Sequence, residues 1–203
     1  DGAPLASNRV SRNLEPEYVA VAGGTAYAAL QEANAIAEID LASATVTDIW
    51  SLGFKDYGTQ TLDASDRDPR DAPTYNQKSY DGLFGMYMPD AIEAYEVDGK
   101  TYLVTANEGD GREWGEDFTD TARAKDLGDG GLAPVCADSP LADALEDEDL
   151  GRLNVATDMG LNDDGTCYEE LYTFGGRGFS IWDAETGAQV FDSGSDFERI
   201  THE

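Results

Sequence analysis

The feature that most constrains the fold is a series of short β-type runs, each ended by a turn, with no helical pattern of core length. A Gly23-Gly24 pair between the first two runs is typical of a hairpin, and the same alternation continues along the chain. These runs predict an all-β fold with strands near 18–22, 25–30, 35–40, 45–50, 91–97, 100–106, 169–174, 179–183 and 188–192.

A turn motif recurs at two of the strand ends. An apolar residue, Asp, two spacers and Ser or Thr stand at 39–43 and again at 182–186. Asp and Ser or Thr close such turns by hydrogen bonds between side chain and backbone. Repeated four-stranded meanders with such turns are typical of β-propeller blades. Two to three blades are countable here, whereas a closed ring takes at least four, so we predict a segment of a larger propeller.

The segments between the strands divide this predicted incomplete domain, which covers residues 1–203. Two of them are long, polar and rich in Asp, Gly and Pro, which makes them candidate functional loops. Leu141–Asp147 is predicted as a short surface helix, and Phe197–Glu203 as the start of another strand. The divisions are a lead-in 1–13, a blade 14–53, an acidic loop 54–88, a hairpin 89–108, an acidic insert loop 109–150 and a blade 151–203.

The charge excludes several classes of partner. Asp and Glu number 42 against 13 Lys and Arg, which gives a net charge of −29. Such a field repels phosphate backbones and anionic lipid, so we expect neither nucleic-acid binding nor adsorption to a membrane. No apolar run approaches the ~20 residues that cross a bilayer. We expect no signal peptide in this sequence, because Asp1-Gly2-Ala3-Pro4 lacks the basic and apolar regions of one. A surface suited to saline water and divalent-cation binding both remain open, whereas the interleaved aromatics argue against a disordered acidic tail.

Cys136 and Cys167 are the two cysteines, and His202 is the one histidine. Without a C-x-x-C pair, this set excludes a zinc finger. Two unrelated buried thiols and a disulfide are the alternatives. The polar, Gly- and Pro-containing surroundings of both cysteines favour the disulfide, and hence an oxidising compartment.

Three carboxylates lie within six residues at Asp63, Asp66 and Asp68. Ca²⁺ takes six to eight oxygen ligands at flexible angles, so this loop is a candidate calcium site, although it lacks the Gly and Glu of an EF-hand. Other divalent metals are also open. The alternative is a solvated acidic turn in which Arg67 pairs with its neighbours.

A second candidate site lies where a buried strand ends. Asn107, Glu108 and Asp110 follow an apolar run and are separated by a glycine, while Asp90 opens the partner strand. Polar groups at the end of a rigid strand are well placed to hold a metal ion or to catalyse. We expect these four residues to face one rim and to bind Ca²⁺, and a capped strand with a tight turn is the alternative.

Arg112 and Arg177 are the candidate anion-binding residues. Arg177 is framed by glycines, and a guanidinium there can clamp phosphate or carboxylate or can neutralise nearby acids. The surrounding sequence is neither a G-x-S-x-G elbow nor a P-loop. A Ser-His-Asp triad would require His202 and is rejected.

Seven ordered motifs carry a resemblance over nearly the whole chain. They are LEPEYVAV at 14–21, LDASDRD at 62–68, MPDAI at 88–92, LVTANEGD at 103–110, LGRL at 150–153, FGGRGFSIW at 174–182 and FDSGSDFERIT at 191–201. The chain resembles the choice-of-anchor I domain family, which includes cell-surface glycoproteins of biomineralising animals and bacterial secreted proteins labelled alkaline phosphatase or phytase-like esterase. One departure is Gly178, where the family usually has Ser after the arginine.

The resemblance implies a β-propeller, export to the cell surface or the medium, and calcium binding. Two functions follow. The first is a calcium-stabilised extracellular module for binding, adhesion or matrix, and the alternative is a metal-dependent phosphomonoesterase that holds phosphate with carboxylate-bound metal and arginine. The expected partners are the remaining blades, from the same polypeptide or another chain. The expected location is extracellular or at the cell surface, with the periplasm open.

Overall fold

A computed structural model describes residues 13–113 and 119–203, so all but the last residue of the predicted lead-in lie outside the described residues. Its strands confirm the all-β prediction. The elements are β1 Pro16–Ala22, β2 Thr25–Leu30, β3 Ala35–Asp40, β4 Thr45–Ser51, β5 Phe54–Asp56, β6 Leu83–Met86, β7 Pro89–Val97, β8 Lys100–Asn107, β9 Thr121–Arg123, a 3₁₀ helix Ala124–Asp126, β10 Asn154–Ala156, β11 Leu171–Phe174, β12 Gly178–Asp183, β13 Gln189–Asp192 and α1 Asp196–His202.

The first sheet is the predicted four-stranded antiparallel meander, in the order β1-β2-β3-β4. The Asp40 carboxylate closes its last turn, because Oδ1 accepts hydrogen bonds from Ser43 N at 2.7 Å and Ser43 Oγ at 2.5 Å. The hydrogen bonds between Asp40 and Ser43 that the sequence predicted therefore close this turn in the structure.

The last sheet is also four-stranded and antiparallel, but its strands are not those that were predicted to form one blade. Its order is β13-β12-β8-β7, all antiparallel, so the predicted hairpin 89–108 is completed by strands 70 residues further on. The repeated Asp turn recurs at Asp183, whose Oδ1 accepts from Glu185 N at 3.0 Å and Thr186 N at 3.1 Å. The predicted blade 151–203 is wrong as a unit, because β11 lies in another sheet.

A middle, five-stranded sheet was not predicted. Its order is β5-β6-β11-β10-β9, and β6 and β11 run parallel. Three of its strands come from the segments predicted to be acidic loops, where three- and four-residue strands are too short to show a clear alternation. The two segments supply most of a separate core, to which residues after position 150 also contribute. Its members are Tyr57, Leu62, Tyr80, Leu83, Ala124, Leu127, Leu141, Leu150, Val155, Tyr168 and Leu171.

Two local predictions are corrected by this packing. Residues 141–147 form turns, not a surface helix, because Leu141 is only 1% exposed and is part of that core. The segment predicted to begin a strand at Phe197 is α1, a helix of seven residues. Arg199 stabilises it by pairing with Asp196 at 2.8 Å and Glu203 at 2.9 Å, at helical spacing.

A disulfide joins Cys136 and Cys167, with a Cα–Cα distance of 4.9 Å, and confirms the predicted pairing. It ties the insert to the strand-like segment before β11. The backbone holds the same alignment, since Cys136 N donates to Tyr168 O at 2.8 Å and Tyr168 N donates to Pro134 O at 2.9 Å.

The first and last sheets pack against each other through β1 and β7. Trp182 is the largest side chain in that interface, and its Nε1 donates to Thr105 Oγ1 at 2.9 Å. In the part of the chain that the structure describes, the three sheets do not close into a ring. Helices long and apolar enough to span a bilayer are absent from the same residues.

Candidate functional site

A cleft with a volume of about 780 Å³ lies among the described residues. Its walls are the ends of β9, β10 and β11, the loop 63–75 and helix α1. It brings together three predicted site residues from distant parts of the chain, Asp63, Asp66 and Arg177. This cleft is the candidate functional site.

The turn that carries Arg177 into the cleft depends on its glycines. Arg177 has a φ of +52°, and Gly175, two residues earlier, has a φ of +83°. A Cβ on Gly175 would lie 1.8 Å from the carbonyl oxygen of Glu108, so only glycine fits there. At Gly178 a Cβ would lie 2.2 Å from Ser193 Oγ, which accepts a hydrogen bond from Phe179 N, so a larger residue there would displace this hydroxyl.

Buried Lys55 donates a hydrogen bond to the backbone of the turn that contains Arg177. Lys55 is 2% exposed, and its Nζ donates to Gly176 O at 2.8 Å and Gly194 O at 2.6 Å. Asp192 lies 3.4 Å from the same nitrogen and partly compensates the buried charge. Burial nevertheless lowers the pKa of Lys55. Lys55 therefore joins the two turns that present Arg177 and the start of α1.

Glu198, on α1, connects the arginine to the acidic loop. Its Oε1 lies 2.7 Å from Arg177 Nε, and its Oε2 accepts hydrogen bonds from Asp63 N at 2.9 Å and Gln77 Nε2 at 3.2 Å. The side chain of Glu198 is 12% exposed. An arginine, a partly buried glutamate and the backbone of the aspartate loop thus form one group joined by polar contacts.

The three aspartates of the loop 63–68 have different surroundings. Asp66 pairs with Arg152, whose Nε lies 2.5 Å from Oδ1, and this bond lowers the pKa of Asp66. Burial, followed by the charges of Asp68 and Glu198, raises the pKa of Asp63. Among the described residues, the Oδ1 atoms of Asp63 and Asp68 are buried and have no hydrogen-bond partner. Burying carboxylate oxygens without a partner costs free energy.

The four strand-end candidates, Asp90, Asn107, Glu108 and Asp110, differ in burial and in their contacts. Asn107 is buried, and its amide is fully engaged, since Oδ1 accepts from Thr105 Oγ1 at 2.8 Å and Nδ2 donates to Ser180 Oγ at 2.7 Å. Glu108 and Asp110 are exposed. Asp90 is contacted by the Gln31 amide at 3.3 Å. In residues 13–113 and 119–203, no three or more His, Cys, Asp or Glu side chains are clustered as metal ligands.

Arg112 lies outside the cleft, in a smaller pocket. Its Nη1 is 3.3 Å from Asp120 Oδ2, its backbone N donates to Asp120 Oδ1, and its Nη2 donates to the carbonyl of Glu32. This geometry is that of an arginine that neutralises a neighbouring acid. Burial is the main cause that raises the pKa of Asp120, and Arg112 opposes it.

The cleft also contains residues that were not predicted as site residues. Arg123 and Arg152 join Arg177 in its wall, and the rings of Tyr75 and His202 stack there with centroids 4.2 Å apart. Arg152 lies within one of the ordered motifs quoted above, as does Glu198. Their positions in those motifs were visible, but their convergence depends on pairings between residues far apart in sequence.

Comparisons with known proteins identify a family and two relatives. The sequence model of the choice-of-anchor I domain matches residues 2–203. The chain is 32% identical over 158 residues to the mesenchyme-specific cell surface glycoprotein of Strongylocentrotus purpuratus, covering 66% of this chain and 19% of that protein. It is 48% identical over 46 residues to Gigasin-3a of Magallana gigas, covering 23% of this chain and 16% of that protein.

The chain therefore spans less than a fifth of the length of each of these relatives. No solved structure matches it. Because the family model covers nearly every residue and the predicted motifs lie within it, this chain belongs to the choice-of-anchor I domain family, which has a cell-surface glycoprotein among its relatives.

Proposed function

We propose that this chain is part of an extracellular β-propeller that binds a ligand in the 780 Å³ cleft with the help of Ca²⁺. The observation that carries the proposal is the pair of buried Asp63 and Asp68 oxygens without hydrogen-bond partners beside Glu198. Ca²⁺ accepts carboxylates and backbone carbonyls at flexible angles, so these side chains and nearby carbonyl oxygens suit it. Arg177, already paired with Glu198, is placed to contact an anionic group on the metal.

The architecture supports the propeller part of the proposal. The first and last sheets are both four-stranded and antiparallel, and the strands that begin them, β1 and β7, touch. Neighbouring blades of a propeller are related in this way. Apolar side chains such as Phe191 and Phe197 lie exposed beside β12, where a further blade would cover them. We expect the double variant Val190→Lys/Phe191→Lys to be tolerated by the 203-residue chain and to destabilise the assembly that carries the remaining blades.

The location is proposed on independent grounds. The Cys136–Cys167 disulfide requires an oxidising compartment, and a relative is named as a cell surface glycoprotein. Protease treatment of intact cells tests it, because an exposed domain is removed while a cytosolic marker survives. Retention of the domain would contradict the proposal.

Calcium binding is tested by the midpoint of thermal unfolding with Ca²⁺ and with chelator. For a dissociation constant one hundredth of the free ion concentration, mass action stabilises the fold by about 2.7 kcal/mol. That corresponds to a rise of roughly 5–10 °C for a chain of this size. Asp63→Asn and Glu198→Gln should lose this rise, whereas the matched control Asp164→Asn, in an exposed turn, should keep it.

Two results would decide against this site. The first is an equal rise in Asp63→Asn and in the control, which would leave the loop as a solvated acidic turn. The second is loss of the rise in Glu108→Gln alone, which would move calcium to the strand-end residues predicted from the sequence. Substituting Mg²⁺ for Ca²⁺ in the same measurement tests the choice of metal, because Mg²⁺ demands a tighter octahedral shell.

A phosphomonoesterase is the second candidate, and one observation favours it. Arg123, Arg152 and Arg177 line the same cleft as the carboxylates, which is the combination that phosphate transfer requires. Hydrolysis of p-nitrophenyl phosphate with Ca²⁺ and with chelator is the assay. Calcium-dependent turnover that falls in Arg177→Gln, but persists in the control Arg70→Gln outside the cleft, would support it. Absence of turnover in the complete protein would leave the binding function.

A further inference from the structure

A second, smaller pocket contains all the methionines of the chain. Its volume is about 170 Å³, and Met86, Met88 and Met159 line it. Met86 ends β6, Met88 follows two residues later, and Met159 comes from the turn after β10. Segments far apart in sequence thus bring the three methionine side chains into one cluster beside this pocket.

One of these methionines is held in a fixed position. The backbone N of Met88 donates to Asn34 Oδ1 at 2.9 Å, and Asn34 Nδ2 donates to Gly53 O at 2.8 Å. Asn34 is itself buried. The backbone of Met88 has φ +47°, which is uncommon for a side chain of this size. The surrounding hydrogen bonds therefore fix Met88 against its local preference.

Methionine usually fills irregular gaps in protein cores. Met86 and Met88 do so here, because they form a small core cluster with Ala156, against which Met159 packs. A pocket of about 170 Å³ nevertheless lies beside this cluster, whereas protein interiors hold few voids larger than a water molecule. Phe54 and Phe174 complete its apolar wall.

The charges around the pocket favour a cation. Carboxylates of Glu32, Asp120 and Asp158 line it together with the methionines. Arg112 is the basic residue in the lining, and its charge is compensated by Asp120 at 3.3 Å. A ligand that combines positive charge with affinity for thioethers matches both parts of this lining.

We propose that Met86, Met88 and Met159 form a thioether site for a soft monovalent metal ion, Cu⁺. Neutral thioethers select Cu⁺ over Ca²⁺ or Mg²⁺, because soft ligands prefer soft ions and hard ions prefer oxygen. The ion enters and leaves as Cu⁺, so binding involves no change of oxidation state. Both cysteines are in the disulfide, so no thiol of this chain competes for the metal.

The first test is a titration of the 203-residue chain with Ag⁺, a soft probe that is not oxidised in air, in chloride-free buffer. With ¹³C-methyl-labelled methionine the spectrum contains three methyl signals, one for each methionine. The expected result is that all three shift together and stop shifting at one equivalent. A shift of one signal alone, or none at one equivalent, would overturn the proposal.

The second test measures Cu⁺ affinity anaerobically against a chromogenic chelator. Met88→Leu and Met159→Leu conserve volume and should each weaken binding at least tenfold, and the triple Met→Leu variant should bind no Cu⁺. His202→Gln is the control, because it removes the one imidazole and should leave affinity unchanged. Circular dichroism verifies that each variant is folded. Wild-type affinity in the folded triple variant would refute the site.

Discussion

Removing the disulfide gives the most quantitative test of how this chain is held together. The double variant Cys136→Ala/Cys167→Ala opens a link between residues separated by 31 positions. In the chain-entropy model, a loop of that length restricts the unfolded chain by about 12 cal/mol/K, which is about 3.7 kcal/mol at 25 °C. At 2–4 °C per kcal/mol for a protein of this size, the unfolding midpoint should fall by roughly 7–15 °C.

The folded state should change little in this variant. Backbone hydrogen bonds on both sides of Tyr168, to Pro134 and Cys136, remain in place without the sulfur atoms. The Asn162 side chain also keeps the second cysteine's turn closed, since its Oδ1 accepts from Thr166 N at 2.8 Å. The loss should therefore come from a freer unfolded chain and not from a disrupted cleft.

Urea unfolding followed by circular dichroism measures this free energy. The wild type treated with a phosphine reductant should fall to the stability of the double variant, whereas the double variant should not respond to reductant. The dependence on urea should steepen, because the unlinked chain exposes more surface. A loss below about 1 kcal/mol would refute the argument that the link acts on the unfolded state.

The remaining predictions concern the cleft and its support. Lys55→Met should lower the free energy of unfolding, measured in urea, by about 3–5 kcal/mol, because Asp192 and two backbone carbonyls lose their buried cationic partner. A loss under about 1 kcal/mol would contradict this role. Gly175→Ala should lower the thermal unfolding midpoint far more than Gly130→Ala. Both glycines have positive φ, but only the first substitution makes a Cβ clash with the carbonyl of Glu108. Equal midpoints in the two variants would refute this prediction. With chelator, Asp63→Asn should unfold at a higher temperature than the wild type near neutral pH, because a raised folded pKa disfavours the charged form. This difference should shrink as the pH falls and wild-type Asp63 takes up its proton, and a constant difference would show that its charge is not responsible.

The sequence by itself determined the features that depend on neighbours in the chain. The period-2 alternation gave β1 to β4 with their boundaries nearly unchanged, because each strand pairs with the next one along the chain. The Asp turns at Asp40 and Asp183 formed as predicted, since their hydrogen bonds span three residues at most. The ordered motifs were likewise sufficient to assign the family.

Only the tertiary structure decided where the strands of the second half go. β11 pairs with β6, nearly ninety residues earlier, and β12 pairs with β8 across the whole insert. No local pattern encodes such partners, because short strands of similar composition can pair in several ways. The same long-range pairings place Arg177 beside Glu198 and Asp63, and bring Met159 to Met86. The residues of both proposed sites are therefore readable in the sequence one by one, while their convergence is a property of the folded chain.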